Sequence, residues 1–148
     1  MKKTATLMSA FAITGAVVLA TGIMGAGVAQ AATTTATFQL KSANESMCRG
    51  TLTLTVTSTT ATSRSQIDCY GSPYRTSSLA AQAHLYPAGQ RNFDWVDNGC
   101  LDCSFAQAIK QVPAQSGATY CGVAGATGSS NVDRPWNGSS VEVCLRAP

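Results

Sequence analysis

Cys48-Arg49-Gly50-Thr51-Leu52-Thr53-Leu54-Thr55-Val56-Thr57-Ser58-Thr59-Thr60-Ala61-Thr62-Ser63-Arg64-Ser65-Gln66-Ile67-Asp68-Cys69 is the stretch on which the fold reading turns. Leu52, Leu54 and Val56 alternate with threonines, the pattern of a half-buried strand with one apolar face. After the Ser58-Thr59-Thr60 turn the less polar residues are again every second one, Ala61, Ser63, Ser65 and Ile67. A hairpin centred between Ser58 and Thr59 sets Leu54 opposite Ser63 and Leu52 opposite Ser65. The same register brings Cys48 opposite Cys69 on the same face, so one register pairs both the strands and the thiols.

The same parity relates two segments near the C-terminal end of the sequence. Tyr120 to Ala126 and Val141 to Leu145 read as two strands, with Val141, Val143 and Leu145 inward and Glu142, Cys144 and Arg146 outward. Gly122 opposite Val143 then puts Ala124 against Val141 and Cys121 against Cys144. The remaining thiols, Cys100 and Cys103, form a Cys-x-x-Cys pair. Side-chain parity therefore selects Cys48 with Cys69, Cys100 with Cys103, and Cys121 with Cys144 from the fifteen connectivities six cysteines permit.

That choice depends on the compartment. In a reducing setting Cys100-Leu101-Asp102-Cys103 would be a redox pair, or part of a zinc set with His84 and one more cysteine; in an oxidising one it is a local staple. The N-terminal region favours export. Met1-Lys2-Lys3 is basic, no charge occurs from Thr4 to Leu40, an apolar centre runs from Ala10 to Ala20, and Ala29-Gln30-Ala31 is a small-x-small cleavage pattern. Residues 1–31 read as a signal peptide cut before Ala32. The uncharged run is long enough to span a bilayer, but Gly22, Gly25 and Gly27 thin its distal part and no basic stop-transfer cluster follows. Without Lys2 and Lys3 the ten Lys plus Arg fall to eight against seven acids, a net charge of about +1. No basic stripe is left for phosphates, so nucleic acid is not expected as a partner, nor a membrane once the leader is cut. An even cysteine count in a short exported chain points to disulfides.

Between the leader and the first hairpin, 32–37 is a Thr/Ala stretch expected as a flexible arm, able to pair as a strand if an edge is offered. Residues 38–148 are expected to form one β-sandwich domain. Leu79 to Tyr86 alternates as a strand, Asn92 to Val96 as a shorter one, and Asp97-Asn98-Gly99 has the composition of a hairpin turn. Ser104 to Val112 reads as a strand or a brief helix, since Phe105, Ala108, Ile109 and Val112 also fit a helical stripe behind a Ser104-x-x-Gln107 capping box. Short strands separated by turn signals make the class all-β, a small disulfide-stapled sandwich.

Ile109 and Val112 followed by Ser116, Ala118 and Tyr120 resemble the corner of immunoglobulin-like domains at which a tyrosine bonds back to the preceding turn. The resemblance implies an immunoglobulin-like sandwich. Where that family carries a core cysteine two residues after the tyrosine, this chain has Gly122, so the cross-sandwich disulfide is not implied. The leader on a Thr/Ser/Gly-rich, cysteine-stapled β domain also resembles small secreted proteins of Streptomyces and its relatives. Two groups among these are similar in class: the immunoglobulin-like adaptor subunit of umbrella-shaped toxin particles, and secreted protease and amylase inhibitors.

Candidate chemistry is sparse. His84 is the single histidine, expected on the solvent face of its strand, and no serine-elbow motif accompanies it. Asp94, Asp97, Asp102 and Asp133 lack the spacing of a calcium loop. Asn44-Glu45-Ser46 and Asn137-Gly138-Ser139 match a glycosylation pattern but read as turns. No cofactor motif is present. The stronger signal is aromatic: Tyr70, Tyr74 and Arg75 after Cys69, and Arg134, Pro135 and Trp136 at the tip of the last hairpin. In an immunoglobulin-like sandwich these loops emerge at one end, and Trp, Tyr and Arg dominate binding hot spots. The alternative is that Trp136 folds back as a lid on the core. The expected function is a secreted, non-catalytic binding or adaptor module whose partner is another secreted protein. The other readings are a protease or amylase inhibitor and a thiol oxidoreductase.

Overall fold

The computed structural model describes residues 30–41, 47–69, 76–91, 94–130 and 137–148. Among these the chain forms strands β1 (Ala32–Lys41), β2 (Met47–Val56), β3 (Thr60–Asp68), β4 (Thr76–Pro87), β5 (Val96–Leu101), β6 (Phe105–Pro113), β7 (Thr119–Ser130), β8 (Asn137–Gly138) and β9 (Val141–Arg146), with no helix. They make two antiparallel sheets, β6-β3-β2-β1-β8 and β5-β4-β7-β9. The order β6-β3-β2 facing β5-β4-β7-β9 is that of an immunoglobulin-like Greek key in which the fifth strand joins the second sheet, with β1 and β8 extending the first sheet.

The hairpin registers are those that parity implies. Leu54 faces Ser63 and Leu52 faces Ser65, while Cys121 faces Cys144 and Gly122 faces Val143. The disulfides are Cys48–Cys69, Cys100–Cys103 and Cys121–Cys144, which is the chemistry of an oxidising compartment. The first ties β2 to β3 and the third ties β7 to β9, each within one sheet. The second closes the connection from β5 to β6. No disulfide among them replaces the cross-sandwich pin.

Close apolar packing takes its place. Leu52, Leu54, Val56 and Ile67 from the first sheet meet Leu79, Ala81, Ala83, Leu85 and Ala124 from the second, all buried. The alanines let the sheets approach, and Gly122 carries this furthest: a Cβ there would stand 3.0 Å from the Ser63 hydroxyl and 3.3 Å from Leu54. The other inward serine, Ser65, donates from Oγ to the Gly125 carbonyl at 3.2 Å, which offsets the desolvation of a buried hydroxyl. Tyr120 makes the corner bond: its hydroxyl accepts the Gln115 backbone N–H at 2.9 Å, fastening the turn between β6 and β7.

Some expectations change, and the choice between strand and helix after Ser104 is settled as strand. Residues 32–37 are the first half of β1, in register with β2 over its whole length; β2 offers the edge that Thr- and Ala-rich sequence fills. Residues 105–113 are strand, because pairing with β3 satisfies their backbone and the period-2 pattern buries Ala106 and Ala108 while Phe105 and Ile109 stay exposed. Asp97-Asn98-Gly99 is the middle of β5 and not a turn. His84 is not a surface residue but only 2% exposed. It does project from the outer face of its sheet, as its parity requires, and Asp94 and Trp95, just before β5, lie against it.

Candidate functional site

The first candidate site is the end of the sandwich that carries the aromatic segments. β3 stops at Asp68, and Cys69 is pinned to Cys48 immediately afterwards. β4 begins at Thr76 opposite Ser130, the last residue of β7, and β8 returns the chain to β1 with Asn137 against Lys41 and Gly138 against Leu40. Thr76, at which the segment 70–75 rejoins the framework, and Ser130, from which 131–136 departs, are therefore neighbours. Tyr70, Tyr74, Arg75, Arg134 and Trp136 belong to these segments and lie outside the described residues, as does Asp133. Their attachment points are braced by serines: Ser78 Oγ and Ser129 Oγ are 2.7 Å apart, and Ser77 Oγ donates to the Ser129 carbonyl at 3.2 Å.

A shallow recess of about 280 Å³ on the outer face beside this end is lined by Ser78, Ala80, Gly99, Cys100, Leu101 and Thr127 among others. It exists because the residues at its floor are small. Leu101 stands over it 78% exposed, held at the end of β5 by the Cys100–Cys103 bridge, and Asp102 turns the chain with a left-handed φ of 52° that aspartate tolerates. Sequence reading missed this recess because its walls come from β4, β5 and β7, and strand order is needed to unite them.

The second candidate is the cluster over the far half of the same face. The Trp95 ring stacks on His84 with centroids 5.0 Å apart and planes at 26°. His84 Nδ1 lies 2.9 Å from the Asp94 carbonyl oxygen; a carbonyl only accepts, so Nδ1 carries the proton. Nε2 is buried with no hydrogen-bond partner among the described residues. The Asp94 carboxylate pairs instead with Lys110, whose charge and hydrogen bond hold it below the usual carboxylate range. Beside them Tyr86 donates to Glu142, and Arg91 lies 5.9 Å over the Tyr86 ring and 3.7 Å from the Glu142 carboxylate. Burial first, then the bond to Glu142 and its negative charge, hold the Tyr86 phenol above the ordinary tyrosine range, with Arg91 opposing.

These contacts describe an anchor and show no acid–base relay. The His84 ring hydrogen-bonds the Asp94 backbone carbonyl through Nδ1, and among the described residues no serine or carboxylate oxygen bonds its Nε2. The sulfurs of Cys121 and Cys144 lie with a Glu142 oxygen within 4.8 Å, yet they are bonded to each other and Glu142 is engaged by Tyr86 and Arg91. Cys100 lies within β5, and no helix N-terminus that would favour its thiolate occurs among the described residues.

The fold and its sites thus define a small disulfide-clamped β-sandwich of immunoglobulin-like strand order. A scan against protein-family models found no match, and searches of curated proteins and of solved structures found no similar chain.

Proposed function

We propose that this chain is a secreted, non-catalytic protein-binding or adaptor module, exported by residues 1–31, that presents Tyr70, Tyr74, Arg75, Arg134 and Trp136 to another secreted protein. The observation that supports it best is the Thr76–Ser130 pairing. Together with Cys48–Cys69 it roots the first segment at both ends, and the start of the second, in paired strands of the framework. The class resembles the adaptor subunit of umbrella-shaped toxin particles of Streptomyces, and a role in an extracellular complex follows from that resemblance.

Affinity purification of the tagged chain from culture supernatant tests this. A stoichiometric protein partner should co-purify, and Trp136→Ala should weaken its binding by about tenfold or more, as hot-spot truncation does, without changing the melting temperature. Recovery of the chain alone, or undiminished capture by the Trp136→Ala and Arg134→Ala variants, contradicts the reading. A second reading has its own support: an exposed Leu101 on a disulfide-braced segment is the kind of projecting side chain that fills a protease pocket. It requires that mixing with a secreted protease abolish activity at one-to-one stoichiometry.

A further inference from the structure

We infer that the free edge of β1 is a self-association site, at which a second copy of this chain adds its own β1 antiparallel across a two-fold axis at Thr35. The backbone direction of β1 can be read from Gln39. Its N–H is 3.1 Å from Ser139 Oγ, and its carbonyl accepts from the Ser139 N–H at 3.0 Å, so both groups point away from β2. Successive residues of a strand point alternately to its two sides. Thr33, Thr35 and Thr37 therefore direct their N–H and C=O groups the same way as Gln39. Among the described residues no strand pairs with them there, since β8 reaches only Leu40 and Lys41.

The edge lacks the devices by which sheet edges are blunted. From Ala32 to Leu40 there is no charged residue, proline or glycine, and the register with β2 runs from Ala32 to Lys41 without a bulge. The other edges are guarded. β6 ends in Pro113, and its Gln107 carbonyl accepts from Asn98 Nδ2 at 2.7 Å. β9 carries Glu142 and Arg146, and β5 carries Asp97.

The sequence of the edge selects the occupant. A two-fold at Thr35 sets Thr35 against Thr35, and Thr33 against Thr37 of the second copy in both directions. Each is a hydrogen-bonded pair exchanging two bonds, so all the outward groups of the three threonines are used at once. Their side chains lie threonine against threonine on the outer face, and the intervening Thr34 meets Ala36, both small. With no charge along the edge, the two copies do not repel each other. The first sheets of the two copies become one continuous sheet.

Sedimentation of the oxidised chain recovered from culture supernatant, over a concentration series, tests this. The weight-average mass should rise towards twice the monomer value, and amide exchange at Thr33, Thr35 and Thr37 should slow as it does. Thr35→Pro removes the central outward N–H without touching the ladder to β2 and should raise the dimer dissociation constant at least tenfold, roughly the loss of two edge hydrogen bonds. Thr35→Lys, which retains every backbone group needed for folding, should do the same by placing two like charges on the axis. Thr53→Lys, on the same face but one strand inward, should leave association unchanged. A monomer at every concentration overturns the inference, as does a dimer that tolerates both Thr35 variants or is lost equally in Thr53→Lys. A monomeric chain whose β1 edge is instead occupied by a strand of a different secreted protein overturns it too.

Discussion

Replacing Cys48 and Cys69 together by alanine should lower the free energy of unfolding by about 3 kcal/mol or more, the largest effect expected of any bridge. The bond closes a loop of sequence separation 21, and for a loop of that size the lost restriction of the unfolded chain alone is worth roughly 3 kcal/mol. Both half-cystines are also buried within the main core cluster, so removing their sulfurs leaves a void beside Phe38, Leu40 and Ile67. The Cys100–Cys103 bridge has a separation of only 3, and its removal should cost less on the same chain-entropy scale, roughly 2 kcal/mol. Urea unfolding of the two double variants under oxidising conditions, with unchanged slope, measures the difference. Equal costs for both bridges would show that unfolded-chain restriction is not what these disulfides supply.

Leu54→Ala should cost about 3 kcal/mol, within the range of buried leucine truncations. Leu54 is fully buried among Val56, Ala61, Leu85 and Tyr120 and meets Gly122 of the opposite sheet at close range. Since none of the three bridges joins the two sheets, apolar contacts of this kind hold the sheets together. Thr53→Ala on the outer face should change stability by less than about 0.5 kcal/mol. Gly122→Ala adds a methyl at the spot where Leu54 and Ser63 already press, and should be less harmful in the Leu54→Ala background than alone. Thermal and denaturant unfolding of the four variants reads all of this, and additive effects would mean that Leu54 and Gly122 do not share one contact.

What could be read beforehand is what depends on parity. Leu52, Leu54 and Val56 on one strand and Ser63, Ser65 and Ile67 on the next fix one register, and thiols placed at the same parity follow it. What escaped depends on tertiary approach. Asn98-Gly99 has the composition of a turn, yet Gly99 is needed because a Cβ would stand 3.1 Å from both the Ala80 Cβ and the Leu79 carbonyl oxygen, and the Asn98 amide is used to cap Gln107. Packing against β4 overrode the local turn preference. His84 was placed on the correct face, but periodicity cannot show that Trp95 folds back upon it. β1 was legible only as β-branched sequence in want of an edge, and that edge is supplied by β2. As to the candidate site, residue type alone singled out Tyr70, Tyr74, Arg75, Arg134 and Trp136; the pairing of Thr76 with Ser130 adds where their segments are rooted. The Leu101 recess was invisible until three strands were placed side by side.

Oxidised cysteines clamp neighbouring strands of the two-sheet framework, and the binding role proposed for segments 70–75 and 131–136 depends on that framework. Non-reducing peptide mapping of the exported protein, with its intact mass, tests it most directly. The exported chain should begin at Ala32, carry no free thiol and hold the links 48–69, 100–103 and 121–144. Reduced cysteines, a bound metal ion, or a Cys69–Cys121 link joining the two sheets would contradict it.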